Sequence, residues 1–191
     1  RRQIIYQILR FIYNGEPNDD ADITPNLINQ YLNEGIASAV KASFAASYNI
    51  DQIGSVPDGF YMTTKGLSFT LDSDTGYYHT DLPQIPISIH KSDSITDMIV
   101  RLGSGRMRVG VRVDQKELGR MFEVRLDTSM IYYWVEGKTL YAWSKDDISG
   151  NGCMVRQVIT QGSDMDDDIN CPDDMLDQVI KYTTSILPYE L

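Results

Sequence analysis

The sequence predicts an α+β fold, and three observations carry that prediction. Apolar residues recur at helical spacing at both ends of the chain. The middle switches to two-residue alternation broken by Gly, Pro and Asp turns. The elements therefore run helices, strands, helix, and such segregation points to α+β rather than a wound α/β sheet. The expected arrangement is a helical hairpin over 1–48, an antiparallel β domain over 49–163, and an acidic loop with a C-terminal helix over 164–191. That last helix is expected to pack back on the helical part.

Each element has its own signal. Ile4, Ile5, Ile8, Leu9 and Ile12 make the stripe of a first helix, with Phe11 extending it. Asn14-Gly15 stops it, since Gly tolerates the left-handed C-cap geometry. Glu16 to Asp22 is an acidic loop. Thr24-Pro25 opens a second helix, Thr as N-cap and Pro in the first turn. Leu27, Ile28, Tyr31, Leu32, Ile36, Ala39, Val40 and Phe44 continue its face to about Ser47.

After Asn49 the texture changes. Val56-Pro57-Asp58-Gly59 reads as a turn. Phe60 to Leu71 reads as a strand, Asp72 to Gly76 as a turn, and Tyr77 to Leu82 as the return strand. Pro83 and Pro86 bar the next stretch from a central strand, because neither donates to a ladder. Met98 to Leu102 suggests another strand. Met107, Val109, Val111 and Val113 alternate with Arg108, Gly110 and Arg112, the clearest period of two in the chain. Gln115 to Met121 suggests one or two helical turns. Met130 to Val135 and Thr139 to Trp143 flank Glu136-Gly137-Lys138, a hairpin with Gly placed for a bulged turn. Val155 to Thr160 suggests a further strand. Pro172 opens the last helix. Asp173, Asp174 and Asp177 load its first turns, where the helix dipole favours negative charge, and Pro188 ends it.

Composition bounds the function. The chain has 191 residues, 42% hydrophobic and 23% charged, ordinary for a globular protein. Acids outnumber bases 27 to 17, a net charge of −10. That balance opposes simple duplex binding, which rests on Lys and Arg neutralising phosphates. Cys153 and Cys171 form no CxxC pair and read as free thiols. No stretch reaches the length of a transmembrane span, and no signal-peptide pattern opens the chain.

Candidate chemistry is sparse. His79 and His90 lack metal-ligand spacing. Asp72-Ser-Asp-Thr-Gly76 begins like a calcium loop, but its fifth residue is Gly and its twelfth is Pro83, so a polar turn explains it. Asp164, Asp166, Asp167 and Asp168 are dense carboxylates, read as a solvated surface. Gly103-Ser-Gly105 and Gly150-Asn-Gly152 lack a phosphate-loop context, and no GxSxG elbow occurs.

Charge is distributed unevenly. Arg101 to Arg125 holds seven bases and three acids; Asp164 to Leu191 holds eight acids and one base. Glu16 to Glu34 holds only acids, among them Asp19, Asp20 and Asp22. A basic middle with acidic ends fits a mixed surface around a β-sheet and equally fits self-complementary head-to-tail contacts, which close into rings when the rotation allows. Tyr132-Tyr133-Trp134 and Tyr141-Ala-Trp143 concentrate aromatics on one hairpin. Cross-strand packing explains them, and so does an interface or a sugar-stacking face.

Several segments together resemble structural proteins of tailed bacteriophages. They are Arg1-Arg-Gln-Ile-Ile-Tyr-Gln-Ile-Leu-Arg10, Gly15-Glu-Pro-Asn-Asp-Asp20, Ile23-Thr-Pro25, Asn49-Ile-Asp51, Val56-Pro-Asp-Gly-Phe60 and Leu82-Pro-Gln-Ile-Pro86. The hairpin Tyr132-Tyr-Trp-Val-Glu-Gly-Lys-Thr-Leu-Tyr141 is similar to hairpins of head–tail connector proteins. The chain as a whole resembles the ring-forming connector proteins of crAss-like phages, themselves loosely analogous to gatekeeper or tail-tubular proteins.

That resemblance implies a virion protein at the head–tail interface or tail, made in the cytoplasm of a bacterial host. It implies a homo-oligomeric, dodecameric ring below the portal, beside other tail-ring or tail-fibre proteins. Genome DNA would pass without specific binding, and no cofactor or enzymatic activity is implied. On that reading Arg106, Arg108 and Arg112, with Tyr133, Trp134, Tyr141 and Trp143, are expected at a subunit interface. Asp19, Asp20, Asp22, Asp164, Asp166, Asp167 and Asp168 are expected at an acidic lumen or interface. The rival readings are a carbohydrate-binding β-module using the four aromatics, and a hydrolase built on the acidic cluster with a divalent ion.

Overall fold

The computed structural model describes residues 1–14, 23–52, 54–87, 89, 95–114, 116, 117, 119, 129–159 and 168–187. The chain divides into two compact units: Arg1–Tyr61 with Ile159–Leu191, and Met62–Val158.

The first unit is helical. Helix α1 spans Arg2–Ile12, burying Ile5, Ile8 and Leu9. Asn14 takes the left-handed conformation beyond it, φ 49°. The Tyr13 hydroxyl accepts a hydrogen bond from the Ile23 amide at 3.1 Å. Helix α2 spans Pro25–Asp51, with the Thr24 hydroxyl accepting from the Leu27 amide, as the N-cap reading expects. It runs four residues past Ser47 and closes on Gln52, left-handed at φ 62°. The expected turn at 56–59 is a short 3-10 helix, Asp58–Phe60, with the Phe60 ring fully buried. A second 3-10 turn, Asp173–Met175, leads into helix α3, Leu176–Ile186. Pro188, expected to end it, lies outside the described residues.

The hairpin of α1 and α2 is realised only in part. The Arg1 guanidinium donates to the side chains of Asn29 (2.9 Å) and Asn33 (2.8 Å) on α2. The principal partner of α2, however, is α3. The reason is visible at Gly35, where an added Cβ would lie 2.1 Å from Thr183 Oγ1 and 3.2 Å from the Thr183 amide nitrogen. Two helix backbones approach this closely only where one lacks a side chain.

The second unit is a sheet of eight strands. They are β1 (Tyr61–Ser68), β2 (Thr70–Leu71), β3 (Tyr78–Asp81), β4 (Ile95–Arg101), β5 (Met107–Arg112), β6 (Ile131–Glu136), β7 (Thr139–Trp143) and β8 (Gly152–Val158). Their order is β1-β8-β4-β5-β6-β7-β3-β2. Strands β1 and β2 stand at opposite ends of that order, yet only Phe69 separates them in sequence. The sheet must therefore curl round on itself.

The expectation of an all-antiparallel region is corrected at one pair: β5 and β6 run parallel, with Val111 opposite Tyr132. A parallel pair needs a connection of about a dozen residues or more. The stretch 113–130 supplies it. Within the helical turns expected at 115–121, Lys116, Glu117 and Gly119 are helical; the other four residues lie outside the described residues. The β6–β7 hairpin is tighter than expected. Glu136 pairs directly with Thr139, and Gly137 takes φ 61°, so two residues turn the chain without a bulge.

One face of the sheet carries the core: Met98, Val100, Ile131, Tyr133, Leu140, Ala142, Cys153 and Val155, with Leu82 and Ile148. Among the described residues, no helix is long and apolar enough to cross a membrane.

Candidate functional site

The side chains on the other face of the sheet follow from the register. Ile99 stands opposite Val109 and Arg101 opposite Met107. Met154 stands opposite Ile99, and Arg156 opposite Asp97. Val111 stands opposite Tyr132, Tyr132 opposite Trp143, and Trp134 opposite Tyr141. Apolar side chains thus cross five neighbouring strands without interruption.

Strand β5 is the exposed centre of this face. Met107 is 71% exposed, Val109 58% and Val111 38%. Its polar side faces inward. Gly110 lies over Met98 and Tyr133, so tightly that an added Cβ would meet the Met98 Cε at 2.5 Å and the Tyr133 ring at 2.9 Å. Arg108 is half-buried and ion-pairs with Asp146, and its second terminal nitrogen is buried without a hydrogen-bond partner among the described residues. The strand is amphipathic in the reverse of the usual sense. It turns Arg108 and Gly110, both half-buried, toward the core side and shows water its apolar row.

This divides the residues expected at an interface. Arg108 is committed to Asp146 within its own unit and is withdrawn from the expected set. Arg106 and Arg112 are exposed at either end of β5. Tyr133 is withdrawn too, because its side chain lies on the core face, 2% exposed.

Trp134, Tyr141 and Trp143 do share the outer face with Tyr132. Trp134 is only 4% exposed. It meets Tyr77 edge-on at a centroid distance of 5.0 Å and stacks in parallel on Tyr141 at 5.4 Å. Its Nε1 donates to Glu136 Oε1 at 3.1 Å. Tyr132 and Trp143 pack at 6.0 Å. The rings pack on one another and stiffen the sheet beside the β5 row, while Tyr141 and Trp143 stay half-buried.

Of the acidic set, Asp168 is exposed; Asp19, Asp20, Asp22, Asp164, Asp166 and Asp167 lie outside the described residues, as does His90. His79 sits beside Tyr141 at 6.5 Å. Among the described residues, no cluster of His, Cys, Asp or Glu could hold a metal ion. The Asp72 loop closes on itself. Its carboxylate accepts from the Thr75 hydroxyl at 2.8 Å and the Asp74 amide at 3.0 Å, which holds its pKa below the usual value. Asp147 is likewise depressed by the Ser149 amide, 2.8 Å away. Both carboxylates are turn-formers. Cys153 and Cys171 are free thiols. Burial pushes the Cys153 thiol up to about 12, and burial with Asp174 and Asp173 nearby pushes Cys171 up to about 11, so neither is an activated nucleophile. A shallow cleft of about 380 Å³ between α1 and the start of α2 is lined by Arg2, Ile5, Tyr6, Pro25 and Asn26, without a converging catalytic set.

A second exposed apolar point was not anticipated. Helix α2 ends with Ile50, 86% exposed, and Tyr48, 37% exposed and stacked on Phe44. Its signal in the sequence was the Tyr48-Asn-Ile50 run, which reads as loop if the helix stops at Ser47. No protein-family model matches the chain, and no curated protein matches it.

Proposed function

We propose that this chain is a structural subunit that assembles with copies of itself, without enzymatic activity. Its place is a ring in the head–tail connector or tail of a short-tailed phage virion, lining the DNA ejection channel and joining neighbouring rings. The observation that supports self-assembly is the outward apolar row of β5, continuous with Ile99 and Met154 on the adjacent strands. Exposed apolar area of this continuity, rimmed by charge, marks interaction surfaces on soluble proteins. The ring, the virion and the portal or tail neighbours rest on the resemblance of the segments quoted above.

The mechanism on this reading is geometric. A stiff sheet, locked by the Trp134–Tyr141 stack, presents a contact face whose shape does not change on binding. Acidic excess keeps passing DNA from adhering. Electron microscopy and mass photometry of the purified protein test the proposal. Closed rings of fixed copy number are expected. A protein that stays monomeric at every accessible concentration overturns it.

A further inference from the structure

The outward row of β5 needs a partner surface, and the chain carries one suited to it. We infer that the C-terminal tip of α2 in one copy docks on the β5 row of the next, so that assembly is head-to-tail. The inference deepens the self-assembly reading and rests on it.

Two complementarities carry it. The first is apolar: Ile50, 86% exposed at the tip, is a projecting side chain, and Val109 with Met107 is an open apolar row. The second is electrostatic. The C-terminal end of a helix carries roughly half a negative charge. No basic residue in the last turn of α2 offsets it. The β5 row is rimmed at its start by the exposed Arg101 and Arg106, Arg101 standing opposite Met107. A negative helix end tipped with Ile thus fits an apolar row edged by arginines. The two surfaces lie in different units of the chain and differ in shape, one a point and the other a row. A contact between unlike surfaces is heterologous, the kind that generates rings or filaments rather than closed two-fold dimers.

The test uses two full-length variants, Ile50→Glu and Val109→Glu. Both positions are exposed, and circular dichroism with thermal melting verifies that each variant folds. Each single variant is expected to weaken assembly about tenfold or more, since burying an unpaired carboxylate in an apolar contact is costly. The decisive arm mixes them. The Ile50→Glu copy keeps an intact row and the Val109→Glu copy keeps an intact tip, so the mixture is expected to form a 1:1 heterodimer and stop there. Monomeric singles that give no heterodimer overturn the pairing of tip with row. Loss of assembly in Val109→Glu alone overturns the role of α2 while leaving self-assembly through β5 standing. Singles that assemble like the parent overturn both surfaces. A parent chain that never assembles overturns the self-assembly reading itself.

Discussion

At the scale of single residues, Gly110 decides which way β5 faces. Valine or leucine there would drive into Met98 and Tyr133, which are 0% and 2% exposed, so both must shift within the core. Even Gly110→Ala is expected to lower stability by about 1–2 kcal/mol, because overpacking outweighs the roughly 0.5–1 kcal/mol that Ala gains over Gly in a strand. A urea melt checks the sign. The alternation at 107–113 was legible as a strand; its orientation was not. Period two says that two faces differ, but the burial of each depends on what the neighbouring strands present, and here a small residue in the polar row lets the core close on that side. Cys153 gives a second prediction. Its thiol titrates near 9.0 when unfolded and near 12 when folded. Above pH 9 the unfolded chain loses a proton that the folded chain keeps, so stability falls as pH rises from 9 toward 12. Cys153→Ala is expected to flatten part of that decline, by at most about 1.4 kcal/mol per pH unit. Parallel denaturant titrations of parent and variant at pH 8 and pH 10 measure it; equal slopes refute it.

At the scale of elements, the crossing of α2 with α3 turns on Gly35. Alanine is the better helix former by about 1 kcal/mol. Its methyl would nevertheless fall on Thr183 Oγ1, a fully buried hydroxyl that donates to the Val179 carbonyl at 2.8 Å. Gly35→Ala is therefore expected to destabilise by about 1–3 kcal/mol, and Thr183→Ala in the same chain to recover part of the loss. A double-mutant cycle by thermal melting reads the coupling; additive effects would place the strain elsewhere. The helices themselves were readable, α2 from its Thr-Pro start and α3 from its acidic opening. Their pairing was not, because Gly35 looks like any other glycine until the helix across from it is known. The parallel β5–β6 pair was hidden for a similar reason. A long connection permits parallel or antiparallel return, and the local pattern of Ile131 to Glu136 is the same in either. The candidate site was half legible: the aromatic hairpin and the arginines stood out by residue type, whereas Ile50 and the β5 row are ordinary residues made unusual only by exposure.

At the scale of the whole molecule, net charge and contact chemistry pull assembly in opposite directions. Each copy carries −10, so copies repel over a Debye length of roughly 30 Å at 0.01 M salt. At 0.15 M that range shrinks to about 8 Å, so repulsion summed over whole subunits is largely screened. The apolar contact proposed for Ile50 and Val109 is not weakened by this salt. Attraction between Arg101, Arg106 and a helix end is worth about 1 kcal/mol or less at an exposed surface, and it is screened as well. Salt therefore removes more repulsion, summed over whole subunits, than it removes local attraction. Assembly is expected to strengthen from 0.01 to 0.15 M salt, read by sedimentation velocity at fixed protein concentration. Arg101→Gln with Arg106→Gln should slow association while keeping that direction, since steering charges act mainly on the on-rate. An assembly that dissolves as salt rises over this range would mean that ion pairs, not the apolar row of β5, hold the copies together.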